Sequence, residues 1–146
     1  MVVKRTREPW MPAADFGRSL NGIGINLLVR EIEPMLGFCR DILGATIIHA
    51  DEDFAAIELA RSVFMLHADH TYSDHELSGI VGDSDNRGIG VEIRVYGVDP
   101  DAIESRARAA GHHVLSASAD KPHGLRECHL IAPHGYVFVP ARAILP

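Results

Sequence analysis

Nine histidines in a chain of 146 residues are the first place to look for metal or acid–base chemistry. Imidazole is the commonest metal ligand and the side chain that titrates nearest neutral pH. Their spacing forms no standard site. His67-x-x-His70 and His75 lie on or near a polar stretch, His112-His113 follow a helical pattern, and His123 and His134 sit beside turn residues. No HExxH pair or Cys/His knuckle occurs, and most of these rings are expected at the surface. A nucleophilic serine would need a Gly-x-Ser-x-Gly elbow, which is absent. Gly22-Ile23-Gly24 falls inside an expected strand, so it suits close approach of a neighbouring strand or ligand rather than a phosphate loop. More promising are Asn26 and Glu92, with Arg94 two residues on, His67 near a strand end and His129 on a later strand. An amide, a carboxylate and an imidazole can anchor a polar ligand, or hold a divalent ion. Plainer roles are open beside these. Glu92 can pair with Arg94 or a basic ligand, and His67 can bond to backbone.

Asn26 and Glu92 are linked by a repeat. The segment GIGINLLVREIEP (22–34) returns without a gap as GIGVEIRVYGVDP (88–100), a spacing of 66 residues, with five of thirteen positions identical. That period is too long, and occurs too few times, for a solenoid. It fits a domain of two similar modules, with Asn26 and Glu92 at equivalent places.

The elements that must position these residues follow from periodicity. Ile23, Ile25, Leu27 and Val29 alternate with Gly24, Asn26, Leu28 and Arg30, which predicts a strand over 22–30 with one face in the core. Glu33-Pro34 then opens a helix carrying Met35, Leu36, Phe38, Cys39, Ile42 and Leu43 on one stripe, and Gly44 ends it. Strands are expected over Thr46–Ala50, Phe54–Leu59 and 62–67, joined by short hairpins. The polar stretch 69–87 reads as a long connecting loop or lid. The second half repeats the plan, with alternation from Ile89 to Val95. A helix follows from Asp99-Pro100 to Ala110, stopped by Gly111. Strands over 113–118, Leu125–Ile131 and 136–142 complete it, the last two joined by a turn at Pro133–Gly135. Residues 1–21, with two Pro and no sustained period, form an N-terminal arm whose Trp10 needs cover from this chain or a neighbour. Residues 22–146 then make a single α+β domain of two βαβββ modules (22–68 and 88–142), helices outside, with curved mixed sheets closing into a cup.

Composition bounds the function. A hydrophobic share of 47% with 23% charged residues is that of a globular domain. A net charge of −6 disfavours nucleic acid, which needs a basic footprint, and weakly favours a cationic ligand. No apolar run approaches the roughly 18 residues of a membrane span. The N-terminus lacks the apolar stretch of a secretory signal. Cys39 and Cys128 form no CxxC and read as reduced thiols, so a cytoplasmic location is expected.

In this order the motifs LLVREIEPMLGFCRDILGA (27–45), FMLHADH (64–70), RGIGVEIRVYGVDPDAIESRARAAG (87–111) and LRECHLIAPHGYVFVPA (125–141) span most of 22–142. The set resembles the vicinal-oxygen-chelate superfamily, which includes glyoxalase I, extradiol dioxygenases, and fosfomycin- and bleomycin-resistance proteins. The bleomycin-resistance branch is nearest. The Asp-Pro-Asp-Gly-Tyr turn frequent near the end of that family is here Ala132-Pro133-His134-Gly135-Tyr136. Metal-dependent members of the family place His, Gln and Glu ligands on four cup-facing strands. The corresponding positions are Gly24, Glu92 or Gly90, and Val139, so at least two usual ligands are missing. The resemblance therefore implies a homodimer that binds a small molecule in its cup without cofactor. The ligand-binding residues expected are Asn26, Leu28, His67, Glu92, Arg94, Val137 and Val139, and no residue is assigned a catalytic role. One alternative is a divalent-metal-dependent lyase, isomerase or dioxygenase, with Glu92 and His67 as non-standard ligands. Another is a non-enzymatic accessory or interaction module.

Overall fold

Each half of the chain builds a four-stranded mixed sheet, and the two sheets share one topology. The computed structural model describes residues 5–72, 77–82 and 84–146. In the first half α1 (Ala13–Ser19) precedes β1 (Asn26–Val29), α2 (Ile32–Gly37), β2 (Thr46–Ala50), β3 (Phe54–Leu59) and β4 (Ser62–Ala68). A 3-10 turn (Asp69–Tyr72) and α3 (Ser78–Val81) follow. The second half contains β5 (Glu92–Tyr96), α4 (Pro100–Ala109), β6 (His113–Asp120), β7 (Leu125–Ile131) and β8 (Val137–Ala143). Strand orders are β1-β4-β3-β2 and β5-β8-β7-β6. In each sheet the first strand runs parallel to the last, and all other neighbours are antiparallel. The α+β class and the duplicated βαβββ plan expected from the repeat are present. His75 and part of the expected loop or lid lie outside the described residues.

Contacts divide the chain into two units. The first holds residues up to Leu36 together with Ala45–Gly82, and the second holds Gly37–Gly44 together with the residues from Ser84 onward. The helix expected over 34–43 is thus two pieces, α2 and a wider π-helical turn over Phe38–Ile42. It starts two residues early, at Ile32. Pro34 still sits in the first turn, where a backbone N–H has no helical partner to lose. In the second unit Phe38 packs on Phe138 at 5.7 Å and edge-on to His112 at 4.9 Å. Arg106 caps this piece by donating from Nε and Nη2 to the Ile42 carbonyl, at 3.1 and 2.9 Å. Gly44 adopts φ +73° and Gly111 φ +81°, the left-handed helix ends that glycine permits. Asp99 caps α4 by accepting from the Asp101 and Ala102 amides.

The inner alternation expected over 22–30 fails in its first half. Ile23 is 95% exposed, and Leu27, Leu28 and Val29 are all buried. In the second copy Ile89 and Val91 are 78% and 57% exposed. The reason is local backbone. Gly22 takes φ +73°. Residues 86–91 fold into successive turns, with the Ile89 amide on the Asn86 carbonyl and the Val91 amide on the Gly88 carbonyl. Apolar alternation there marks no buried face.

Where strands do form, alternation sorts them cleanly. In the first sheet Leu27, Val29, Ala55, Ile57, Leu66 and Ala68 make the dry face. Asn26, Leu28, Phe54, Ala56, Met65 and His67 point the other way, as the register pairs Asn26 with Met65 and Phe54 with His67. A bulge between Ile47 and His49 puts His49 opposite Ala56. The extra residue turns the His49 ring onto the Phe54 and His67 face. In the second sheet α4 packs on β6, β7 and β8 through Ile103 and Ala107. The opposite face carries Glu92, Arg94, Glu127, His129, Val137 and Val139.

Candidate functional site

In the first unit the polar centre is Asn26 at the start of β1. Its Nδ2 donates to the Tyr72 hydroxyl at 2.7 Å. That fixes the amide so that Oδ1 faces His67 Nδ1, at 2.5 Å. A carbonyl oxygen only accepts, so His67 carries its proton on Nδ1 and keeps a lone pair on Nε2. Among the described residues no group is bonded to that Nε2. The ring is held between Phe54 (4.9 Å) and the edge of Tyr72 (5.0 Å). Burial, with a smaller contribution from the charge of Arg5, pushes the His67 pKa down to about 4. At neutral pH His67 is therefore an uncharged acceptor in an aromatic wall.

The arm lies on the same face. Trp10 stacks on His49 at 4.9 Å with planes 9° apart, and Phe16 of α1 meets Phe54 edge-on at 5.5 Å. One face of Trp10 thus rests on its own chain, while the residue stays 38% exposed. The carboxylate of Asp53, fully buried, accepts from the Thr6 amide (2.9 Å) and the Thr6 hydroxyl (2.8 Å), and pairs with His70 Nε2 (2.7 Å). Burial opposes its ionisation, but the hydrogen bonds from His70, Thr6 and Arg7 outweigh that and hold its pKa below the usual range.

In the second unit the equivalent position, Glu92, begins a charged network. Arg94 Nη1 donates to Glu92 at 3.0 Å, Arg94 Nη2 to Glu127, and Arg94 Nε to the Tyr96 hydroxyl at 3.2 Å. His123 and His129 reach Glu127 and Glu92 at 3.1 and 3.2 Å. Glu127 is only 3% exposed. Burial resists its charge, yet His123 and Arg94 together keep its pKa lowered. Arg94 is held above its ordinary value because its three hydrogen-bond partners outweigh desolvation. Beside this network lies an open cleft of about 650 Å³, lined by Gly90, Val91, Glu92, Leu115, His129 and Val137 among others. The Nδ1 of His129 is shielded and has no partner among the described residues.

The seven residues expected to bind ligand thus divide into two groups. Asn26 joins His67 in one unit, while Glu92, Arg94 and Val137 come together in the other. Leu28 and Val139 share those faces but are 5% and 0% exposed, so they support neighbours rather than present surface. Sequence reasoning missed Tyr72, Asp53 and Glu127. Tyr72 and Asp53 fall in turns without periodicity. Glu127 was within reach, because alternation along Leu125–Ile131 places it with His129. The expectation that these rings lie mostly at the surface holds at His70, His113 and His123, whereas His67, His112 and His134 are half-buried. Cys39 and Cys128 are free and buried, and burial pushes their thiols up to about 12 and 11, far from thiolate chemistry.

The family pattern would put a metal on four strands, and the side chains here do not fit it. The expected positions hold Gly24, a fully buried Val139, and either Gly90, which has no side-chain donor, or a Glu92 already engaged by Arg94 and His129. Among the described residues no three His, Cys, Asp or Glu side chains converge as ligands.

The chain has the fold of the glyoxalase/bleomycin-resistance/dioxygenase proteins. A glyoxalase/bleomycin resistance protein/dioxygenase family enzyme from Burkholderia phytofirmans PsJN matches with a TM-score of 0.69 and 20% identity, over 83% of this chain and 97% of that one. A glyoxalase/bleomycin resistance protein/dioxygenase from Nocardioides matches at 0.64 and 19%, over 90% and 91%. The fosfomycin resistance protein FosX from Listeria monocytogenes matches at 0.64 and 16%, over 86% and 96%. No protein-family model and no curated protein matches the sequence. No described helix is long and apolar enough to cross a membrane.

Proposed function

We propose that this protein binds a small molecule, preferentially a cation, on the polar faces of its two duplicated sheets and does so through its own side chains without a metal. The observation that carries this reading is the pair of polar clusters built on the equivalent positions Asn26 and Glu92, Asn26–His67–Tyr72 and Glu92–Arg94–Glu127–His129. Small-molecule sites combine a concave, largely apolar lining with a few fixed polar groups. The cleft beside Glu92 has that composition and a suitable volume. His67 offers an acceptor, and two carboxylates sharing one guanidinium in the Glu92–Arg94–Glu127 cluster leave an excess of negative charge toward a cation. Homodimeric assembly and a cytoplasmic location belong to the same proposal.

A metal-dependent lyase, isomerase or dioxygenase is the second reading, favoured by the free Nε2 of His67. The accessory-module reading requires that neither cluster meet a ligand. A thermal-shift screen of small cations and neutral compounds, with elemental analysis of untagged protein, separates all three. Stabilisation of the metal-free protein by a cation supports binding, because a ligand of the native state raises its stability. A stoichiometric divalent ion lost in Glu92→Ala supports the enzyme. No stabilisation by any compound supports the module.

A further inference from the structure

The N-terminal segment lies across the first sheet on the face that carries Asn26 and His67, and it is held unevenly. At one end the Asp53 carboxylate gathers the Thr6 amide and hydroxyl, the Arg7 amide (3.4 Å) and His70. Arg7 adds a surface pair to Glu52 at 2.9 Å. At the other end the hold is slight. The seven residues of α1 include none that is buried, and its N-cap, Pro12, makes no side-chain cap. A helix this short has no independent stability in water. Ring contacts hold this part, Trp10 on His49 and Phe16 on Phe54. Arg5 Nη2 is shielded from solvent with no acceptor among the described residues, a local cost of the closed arrangement. Beyond α1, residues 20–25 form neither helix nor strand. Gly22 there takes φ +73°, and a methyl group on its Cα would meet nothing within 4 Å, so backbone freedom rather than packing explains the glycine.

We infer that residues 5–19 are a displaceable strap, latched at Asp53 and hinged at residues 20–25, which must lift to admit a ligand to Asn26 and His67. Its closeness to that site has two signs. Phe16 touches Phe54, which touches His67, and the charge of Arg5 is near enough to disfavour protonation of His67. The role as a gate rests on the reading that this face receives the ligand; the latch and hinge do not. Elements with few buried contacts open at low free-energy cost, which is what a gate over a binding face requires. The latch confines opening to the loss of a small set of polar contacts at Asp53 and Glu52.

The test uses the full chain without ligand. Trp10 is the only tryptophan, so acrylamide quenching of its fluorescence reports the strap alone. Carbethoxylation by diethyl pyrocarbonate, mapped by peptide mass spectrometry, reports access to His67, with the exposed His113 as internal control. Thr6→Val removes one hydroxyl bond at an exposed position and should shift the open–closed ratio by about five-fold. Asp53→Asn should shift it further. The strap predicts that quenching of Trp10 and labelling of His67 rise together in both variants while His113 is unchanged. Increased quenching with unchanged His67 labelling would mean that the segment moves but gates nothing. No change in either would mean that Asp53 is not its latch. If Asp53→Asn does not fold, Thr6→Val decides alone. Because no ligand enters, a failure here is distinct from a failure to bind small molecules.

Discussion

Asn26 and Glu92 open equivalent edge strands, one beside Met65 and the other beside Val137, in sheets of the same order. Their surroundings differ in kind. The first site is uncharged, an amide and a neutral imidazole in an aromatic wall, and the N-terminal segment packs on Phe54 beside it. The second is an ionic lattice of Arg94 with Glu92 and Glu127, bordered by an open cleft. The two sheets share one strand order, and their polar chemistry differs. A neutral site takes its strength from desolvation and ring contacts, whereas the charged site depends on every partner being present.

The largest expected effect lies on the charged side. Arg94→Met should leave the buried Glu127 with His123 as its one remaining side-chain partner among the described residues, and lower stability by about 3 kcal/mol in urea unfolding. Adding Glu127→Leu should recover much of that loss, because replacing a buried pair is far less costly than breaking one. A double variant no more stable than Arg94→Met alone would show that the stranded carboxylate is not the source of the loss.

The neutral side should instead reveal itself through pH. His67 has a folded pKa of about 4 against an ordinary value near 6.5. The unfolded chain therefore takes up a proton that the folded one refuses, and stability falls as pH drops from about 6.5 to 4. The contribution is about 2 kcal/mol after discounting for partial exposure. His67→Gln should flatten the stability–pH curve in that window. An unchanged slope would remove the neutral-imidazole assignment.

Smaller effects sharpen the contrast. Tyr72→Phe removes the acceptor that orients Asn26, with an expected loss of about 1 kcal/mol and a change in the His67 proton resonance. Ile23→Ser should change stability by no more than about 0.5 kcal/mol, since that side chain is 95% exposed. A loss above about 2 kcal/mol would restore the longer strand.

Much of this architecture was legible in the residues. The repeat located both modules, the strands Thr46–Ala50, Phe54–Leu59 and Leu125–Ile131 stand as expected, and Gly44 and Gly111 stop their helices. The first turns of both repeats were not legible, because apolar alternation around glycines is the same whether the chain is extended or turned. Asn26 and Glu92 were found by symmetry. Their partners were hidden for physical reasons. Tyr72 arrives from an aperiodic turn, and the bulge at Ile48 reverses the face on which His49 appears. Where the arm docks was not legible, because its contacts, Thr6 with Asp53 and Trp10 with His49, are more than thirty residues apart in sequence and leave no local pattern.

The most direct test is a titration of isotopically labelled protein, stripped of divalent ions by a chelator, with small molecules graded from cationic to anionic and followed by two-dimensional NMR. Binding through the chain's own side chains predicts that a cation perturbs the resonances of Asn26, His67, Glu92 or Arg94 without added metal. The account is contradicted if these residues stay silent until a divalent ion is supplied and His67 or Glu92 then responds to it at stoichiometric concentration.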